Sequence, residues 1–158
     1  MPDPVTQALA RIVAEGGFAI VTDTSRENLF AQFMTDAGSP SMQAELVGNE
    51  YLPADERLTS LQMADLRERG WSGDGAENWT REWPDASSEP VRVEAALAAV
   101  TALREVYGAD GGVDVEVHVE GPAQSAELVE GRIRLVVLAA VAVGMLAFIA
   151  AVVASVAT

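Results

Sequence analysis

Residues 135–157 carry no charge over 23 consecutive positions. The run opens at Leu135, passes Gly144 and closes at Ala157, with Ser155 as its only strongly polar side chain. At about 1.5 Å per residue it makes a helix of roughly 35 Å, and the hydrocarbon core of a bilayer is about 30 Å thick. A helix pairs its backbone N–H and C=O groups within the segment, which is the condition for crossing lipid. A helix in the core of a water-soluble domain keeps a polar face as a rule, and this run has none. The sequence therefore predicts a membrane span over 133–158, a linker over 121–132 and a folded domain over 1–120.

Arg132 and Arg134 stand immediately before the span, and positive charge beside a span favours the cytoplasmic side. The first residues lack a basic start followed by an apolar run, so they do not read as a signal peptide. The expectation is a tail-anchored, single-pass membrane protein with its N-terminal domain in the cytoplasm. Ala140 with Gly144, and Ala147 with Ala151, form small-xxx-small pairs that let helix backbones approach closely. In so alanine-rich a helix such pairs also arise by chance, so homo-oligomerisation stays open.

Twenty-four Asp and Glu oppose ten Arg, there is no Lys, and the formal charge is −14. Every acid lies at or before Glu130, with eight of the arginines, so residues 1–130 hold a formal −16. Phosphate binding needs clustered cations; their lack excludes nucleic acid as a partner and favours basic or amphipathic ones. An anionic leaflet repels such a domain while attracting Arg132 and Arg134, so the domain should stand off the membrane. The absence of cysteine excludes disulfides, thiolate metal sites and cysteine nucleophiles.

Asp3 is a plausible N-cap with Pro4 at the first helical position. Val5, Ala8, Leu9, Ile12 and Val13 then share one helical face, and Gly16-Gly17 stops the helix. Runs 18–23, 28–35 and 42–48 read as strands separated by turn compositions, which makes an antiparallel meander. Thr59 and Gln62 fit a capping box, flanked by Leu58 and Met63, and Gly70 ends that second helix. A short strand follows over 78–83. Ser88 should cap a third helix with Val93, Leu97, Val100, Leu103 and Tyr107 on one stripe. Residues 113–120 alternate valine with Asp114, Glu116, His118 and Glu120, the pattern of a strand with one buried face. The order α-β-β-β-α-β-α-β is α+β, with helices packed on an antiparallel sheet.

No motif for catalysis is found. The chain has no G-x-S-x-G, Walker or dinucleotide-binding sequence. His118, the one histidine, reads as a polar-face residue between two glutamates. Residues 73–78 lack the ligand register of a calcium loop, and Asn78-Trp79-Thr80 is a glycosylation sequon idle in the cytoplasm. No cofactor, metal or enzymatic activity is expected. Trp71, Trp79 and Trp83 fall within thirteen residues. They read either as core beside the second helix or as an aromatic rim for a partner. An exposed sheet edge could also accept a peptide strand.

Several stretches resemble the YbjN and type III secretion chaperone-like group, and more narrowly the actinobacterial TY-Chap domains. They are Phe30-Ala31-Gln32-Phe33, Glu45-Leu46-Val47-Gly48-Asn49, Tyr51-Leu52, Leu66 to Gly70-Trp71, and Asn78-Trp79, spread over roughly residues 3–110. The resemblance implies a compact α+β domain and a non-enzymatic, peptide- or protein-binding, chaperone-like role. Gln32 and Tyr51, within those stretches, join the three tryptophans as candidate partner-binding residues. The other reading is a structural or regulatory subunit of a membrane complex, with its specificity in the span.

The lipid-solvated tail has a direct check. After cell lysis and ultracentrifugation, the full-length chain should pellet with membranes and require detergent for release; a dispersed monomer in the supernatant contradicts the span.

Overall fold

The computed structural model describes residues 3–26 and 28–120. The linker and the span expected over 121–158 lie outside the described residues, among which no helix is long and apolar enough to cross a membrane.

Helix α1 covers Pro4–Glu15. Asp3 caps it by accepting from Thr6 N (3.1 Å), and its buried face is Val5, Ala8, Leu9 and Ile12, as the spacing predicts. Strands β1 (Gly17–Asp23), β2 (Phe30–Thr35) and β3 (Met42–Leu46) form the meander. The second and third begin or end one to two residues inside their predicted limits. Gly17 makes the junction from α1 possible. Its φ is +120°, and a Cβ there would collide with the carbonyl of His118 on the neighbouring strand.

Helix α2 (Ser60–Glu68) carries the capping box in full, with Thr59 Oγ1 accepting from Gln62 N and Gln62 Oε1 accepting from Thr59 N. Strand β4 is Trp79–Trp83, and helix α3 is Glu89–Thr101. Ser88 is at the cap position of α3, yet its side chain makes no capping bond. The last turn, Ala102–Val106, widens to π geometry before strand β5 at Val113–Val119.

The five strands pair antiparallel in the order β4-β3-β2-β1-β5. The predicted α+β element order is therefore found, with helices on a fully antiparallel sheet. One face of that sheet holds the core: Ala19 and Val21, Ala31 and Phe33, Met42, Ala44 and Leu46, Trp79 and Trp83. The buried residues of α1, α2 and α3 belong to the same cluster.

Two expectations are corrected in detail. The buried face of α3 is Ala95, Ala96, Ala99 and Ala102, continued by Leu103, Val106 and Tyr107, whereas Val93 is exposed and Leu97 is 63% exposed. Both sets repeat at helical spacing. The alanine face wins because α3 lies alongside α1, and small side chains let the two helices and the sheet close without overpacking. The valines of β5 do share one face, but they are half-buried at best and Val113 is exposed. β5 is an edge strand with a single strand neighbour; α1 packs on it, and Val115 and Val117 reach the margin of the core cluster.

Long-range hydrogen bonds tie the layers at their ends. Tyr107 OH donates to Val47 O (2.7 Å) in a buried site, and burial raises the Tyr107 pKa far above its ordinary value. Gln62 Nε2 donates to Val106 O (2.6 Å), a carbonyl in the π turn. Asp23, itself buried, accepts from the Ser25 hydroxyl, Ser25 N (2.9 Å), Arg26 N (3.0 Å) and Gly111 N (3.0 Å).

The Ser25 hydroxyl foremost, with the backbone donors, holds the Asp23 carboxyl below the usual carboxylate range, although burial opposes it. A carboxyl depressed in the folded state adds stability above its unfolded value of about 3.9 and loses it as pH falls through the folded value. Asp23→Asn should cost about 1–3 kcal/mol at pH 7. That deficit should shrink below about pH 4 in urea denaturation across a pH series; an equal deficit at pH 7 and pH 3 contradicts the assignment.

Candidate functional site

The three tryptophans come together, but inward. Trp71, Trp79 and Trp83 are all buried, and the rings of Trp71 and Trp83 meet edge to face at 6.4 Å and 78°. This corrects the aromatic-rim alternative: the cluster is core at the β4 side of the sheet. Arginines seal it from outside, with Arg67 5.1 Å from the Trp79 ring centre and Arg81 4.9 Å from that of Trp83. Glu94 accepts from Trp83 Nε1 (2.6 Å) and pairs with Arg81 Nη2 (2.5 Å). Arg81 Nη1 also reaches Arg69 O (2.8 Å). The Nε1 atoms of Trp71 and Trp79 are buried without a hydrogen-bond partner among the described residues.

The loop between α2 and β4 has a structural task. Gly75 O and Ala76 O accept from Asn49 N and Glu50 N, both at 2.9 Å, so the loop clamps the 3₁₀ turn Asn49–Tyr51. Gly48 lies so close to the Glu77 carbonyl that any Cβ would collide with it. Asn49 in turn brackets Leu58, accepting from its N–H (2.7 Å) and donating to its C=O (3.0 Å). Tyr51, on this turn, is 38% exposed and remains accessible to a partner. Among the described residues no cluster of three or more His, Asp or Glu could hold a metal ion.

Gln32 lies on the other side of the sheet. Strand residues alternate faces, so Gln32 shares its face with Phe30 and Met34 of β2, Phe18 and Ile20 of β1, and Gln43 and Glu45 of β3. In the register Gln32 sits between Ile20 and Glu45, and Met34 between Phe18 and Gln43. Phe18, Ile20 and Met34 are half-buried and stand outside the core cluster. His118 of β5 stacks on Phe18 (4.5 Å, 19°) and contacts Glu116 Oε1 through Nε2 (2.6 Å).

Gln32 is only 3% exposed, and its amide makes no hydrogen bond with the described residues. Its N and O atoms are not among the sealed polar atoms of the domain, so the amide tip keeps contact with solvent. Glu45 beside it is fixed in place, accepting from Asn78 Nδ2 (3.1 Å) and Gln43 Nε2 (3.4 Å). Glu82, Asp114 and Glu116 stand exposed on the outer strands of this face. The sequence marked Gln32 through its motif. It gave no sign of the surrounding apolar patch, because Phe18, Ile20 and Met34 read there simply as strand residues.

The described domain is thus α+β, with its described helices on one face of an antiparallel sheet. In a comparison with known families, residues 4–121 match the family described as T3SS (YopN, CesT) and YbjN peptide-binding chaperone 3, TY-Chap3. The chain belongs to that family. No curated protein and no solved structure matches it.

The Glu94 link to the tryptophan cluster can be measured. Glu94→Ala leaves the buried Trp83 N–H unpaired and should cost about 1–3 kcal/mol in urea denaturation. A loss under about 0.5 kcal/mol, the scale of an exposed ion pair, would show that the contact is incidental.

Proposed function

We propose that the chain is a non-enzymatic, chaperone-like module that binds peptide or protein segments and is held at a membrane by residues 133–158. The observation that carries the binding role is the family match, which spans the whole described domain from its first helix to its last strand. The tether rests on the uncharged run from Leu135 to Ala157, and the cytoplasmic placement of the domain on Arg132 and Arg134.

The small-residue pairs Ala140–Gly144 and Ala147–Ala151 favour the second reading, a subunit whose specificity lies in the span. Replacing residues 133–158 by an unrelated apolar helix separates the two. Under the proposal, full-length chain in detergent enriches a family of sequences from a random peptide library, and the span-swapped chain enriches the same family. No enrichment by either chain contradicts peptide binding. Enrichment lost on swapping transfers the specificity to the span.

A further inference from the structure

We propose that the helix-free face of the sheet is where this module takes its client, and that the client segment combines apolar residues with Lys or Arg. This inference rests on the peptide-binding reading and adds a place and a chemistry to it. Three independent features converge on one patch. Phe18, Ile20 and Met34 are half-buried apolar side chains with no place in the core cluster. Between them lies Gln32, 3% exposed as a residue, whose amide makes no hydrogen bond with the described residues and is not sealed from solvent. Around them every ionisable side chain on the strands, His118 apart, is a carboxylate: Glu45, Glu82, Asp114 and Glu116.

A side-chain amide offers both a donor and an acceptor, which is what a peptide backbone requires. A client lying across β1 and β2 would cover the apolar patch and pair its backbone with Gln32. Its cations would reach Glu45 on one side and Glu116 or Asp114 on the other. Charge complementarity of this sort sets specificity and encounter rate.

The same charges argue against other occupants. A second copy would set carboxylates against carboxylates, which disfavours that pairing. The chain's own apolar run with its flanking Arg132 and Arg134 is given to the bilayer in this reading, which leaves it no part on the sheet. A basic amphipathic segment from another protein satisfies the apolar centre, the amide and the acidic margin together.

The test uses full-length chain in detergent and two fluorescein-labelled 12-residue peptides, one alternating Leu with Arg and the other Leu with Glu. By fluorescence anisotropy the Leu/Arg peptide should bind at least tenfold more tightly, with affinity falling as salt rises. Met34→Arg should weaken its binding at least tenfold. Gln32→Leu should weaken it severalfold while keeping the urea midpoint, because the amide makes no hydrogen bond with the described residues that folding would lose. Leu97→Arg, on the exposed side of α3, should bind like the native chain.

Native-like binding by both Met34→Arg and Gln32→Leu, or an equal loss in Leu97→Arg, places the client elsewhere and overturns the inference, while leaving peptide binding intact. Failure of the native chain to bind either these peptides or any library peptide removes the peptide-binding reading as well. Replacing Met34 by benzoylphenylalanine identifies the occupant. Photo-crosslinks to the Leu/Arg peptide support the inference, and crosslinks into residues 121–158 or a second copy overturn it.

Discussion

A five-stranded sheet has two faces, and the described helices of this domain cover one. Everything else in the structure follows from that asymmetry. The covered face takes the large and the small apolar residues, from Phe33 and the tryptophans to the alanines of α3. The other face, which no described helix covers, carries carboxylates on the outer strands and a mixed apolar and amide patch in the middle.

The covered side is held by packing at its centre and by hydrogen bonds at its ends. Alanine lets α3 lie close beside α1 and over the sheet. Where the helix runs out, the π turn presents Val106 O to Gln62, and Tyr107 reaches the last residues of the β3 strand through Val47. At the same end of the sheet Asp23 gathers the turn after β1 and the turn before β5, and Arg26 beside it donates to Tyr107 O (2.7 Å). The arginines over the tryptophan cluster close the remaining flank. This leaves a rigid platform, and a rigid platform lowers the ordering cost of binding a peptide on its far side.

Most of the fold was legible because local chemistry and global pattern agree. Asp3 with Pro4, and Thr59 with Gln62, announce helix starts by hydrogen bonds that need only neighbouring residues. The alternation over 113–120 announces a strand whatever its partner. Where the reading went astray, the deciding term was tertiary. Val93 and Leu97 look like part of a core face to any argument based on residue size, but the buried face of α3 is Ala95, Ala96 and Ala99, with Val100 at its margin. The tryptophans offered two readings, core or partner rim, and their burial on the helix-covered face decides for the core. Gln32 was marked by a motif. Its isolation among Phe18, Ile20 and Met34 depends on the pairing of β1 with β2, which no local signal encodes.

The two methionines of neighbouring strands test the one-sided architecture most directly. Met34 and Met42 lie on β2 and β3 and point to opposite faces. In full-length chain without client, hydroxyl-radical footprinting read by mass spectrometry should oxidise Met34 readily and spare Met42 until the protein unfolds. Equal protection of the two would mean that both faces are covered, and the account of an open binding face would fail.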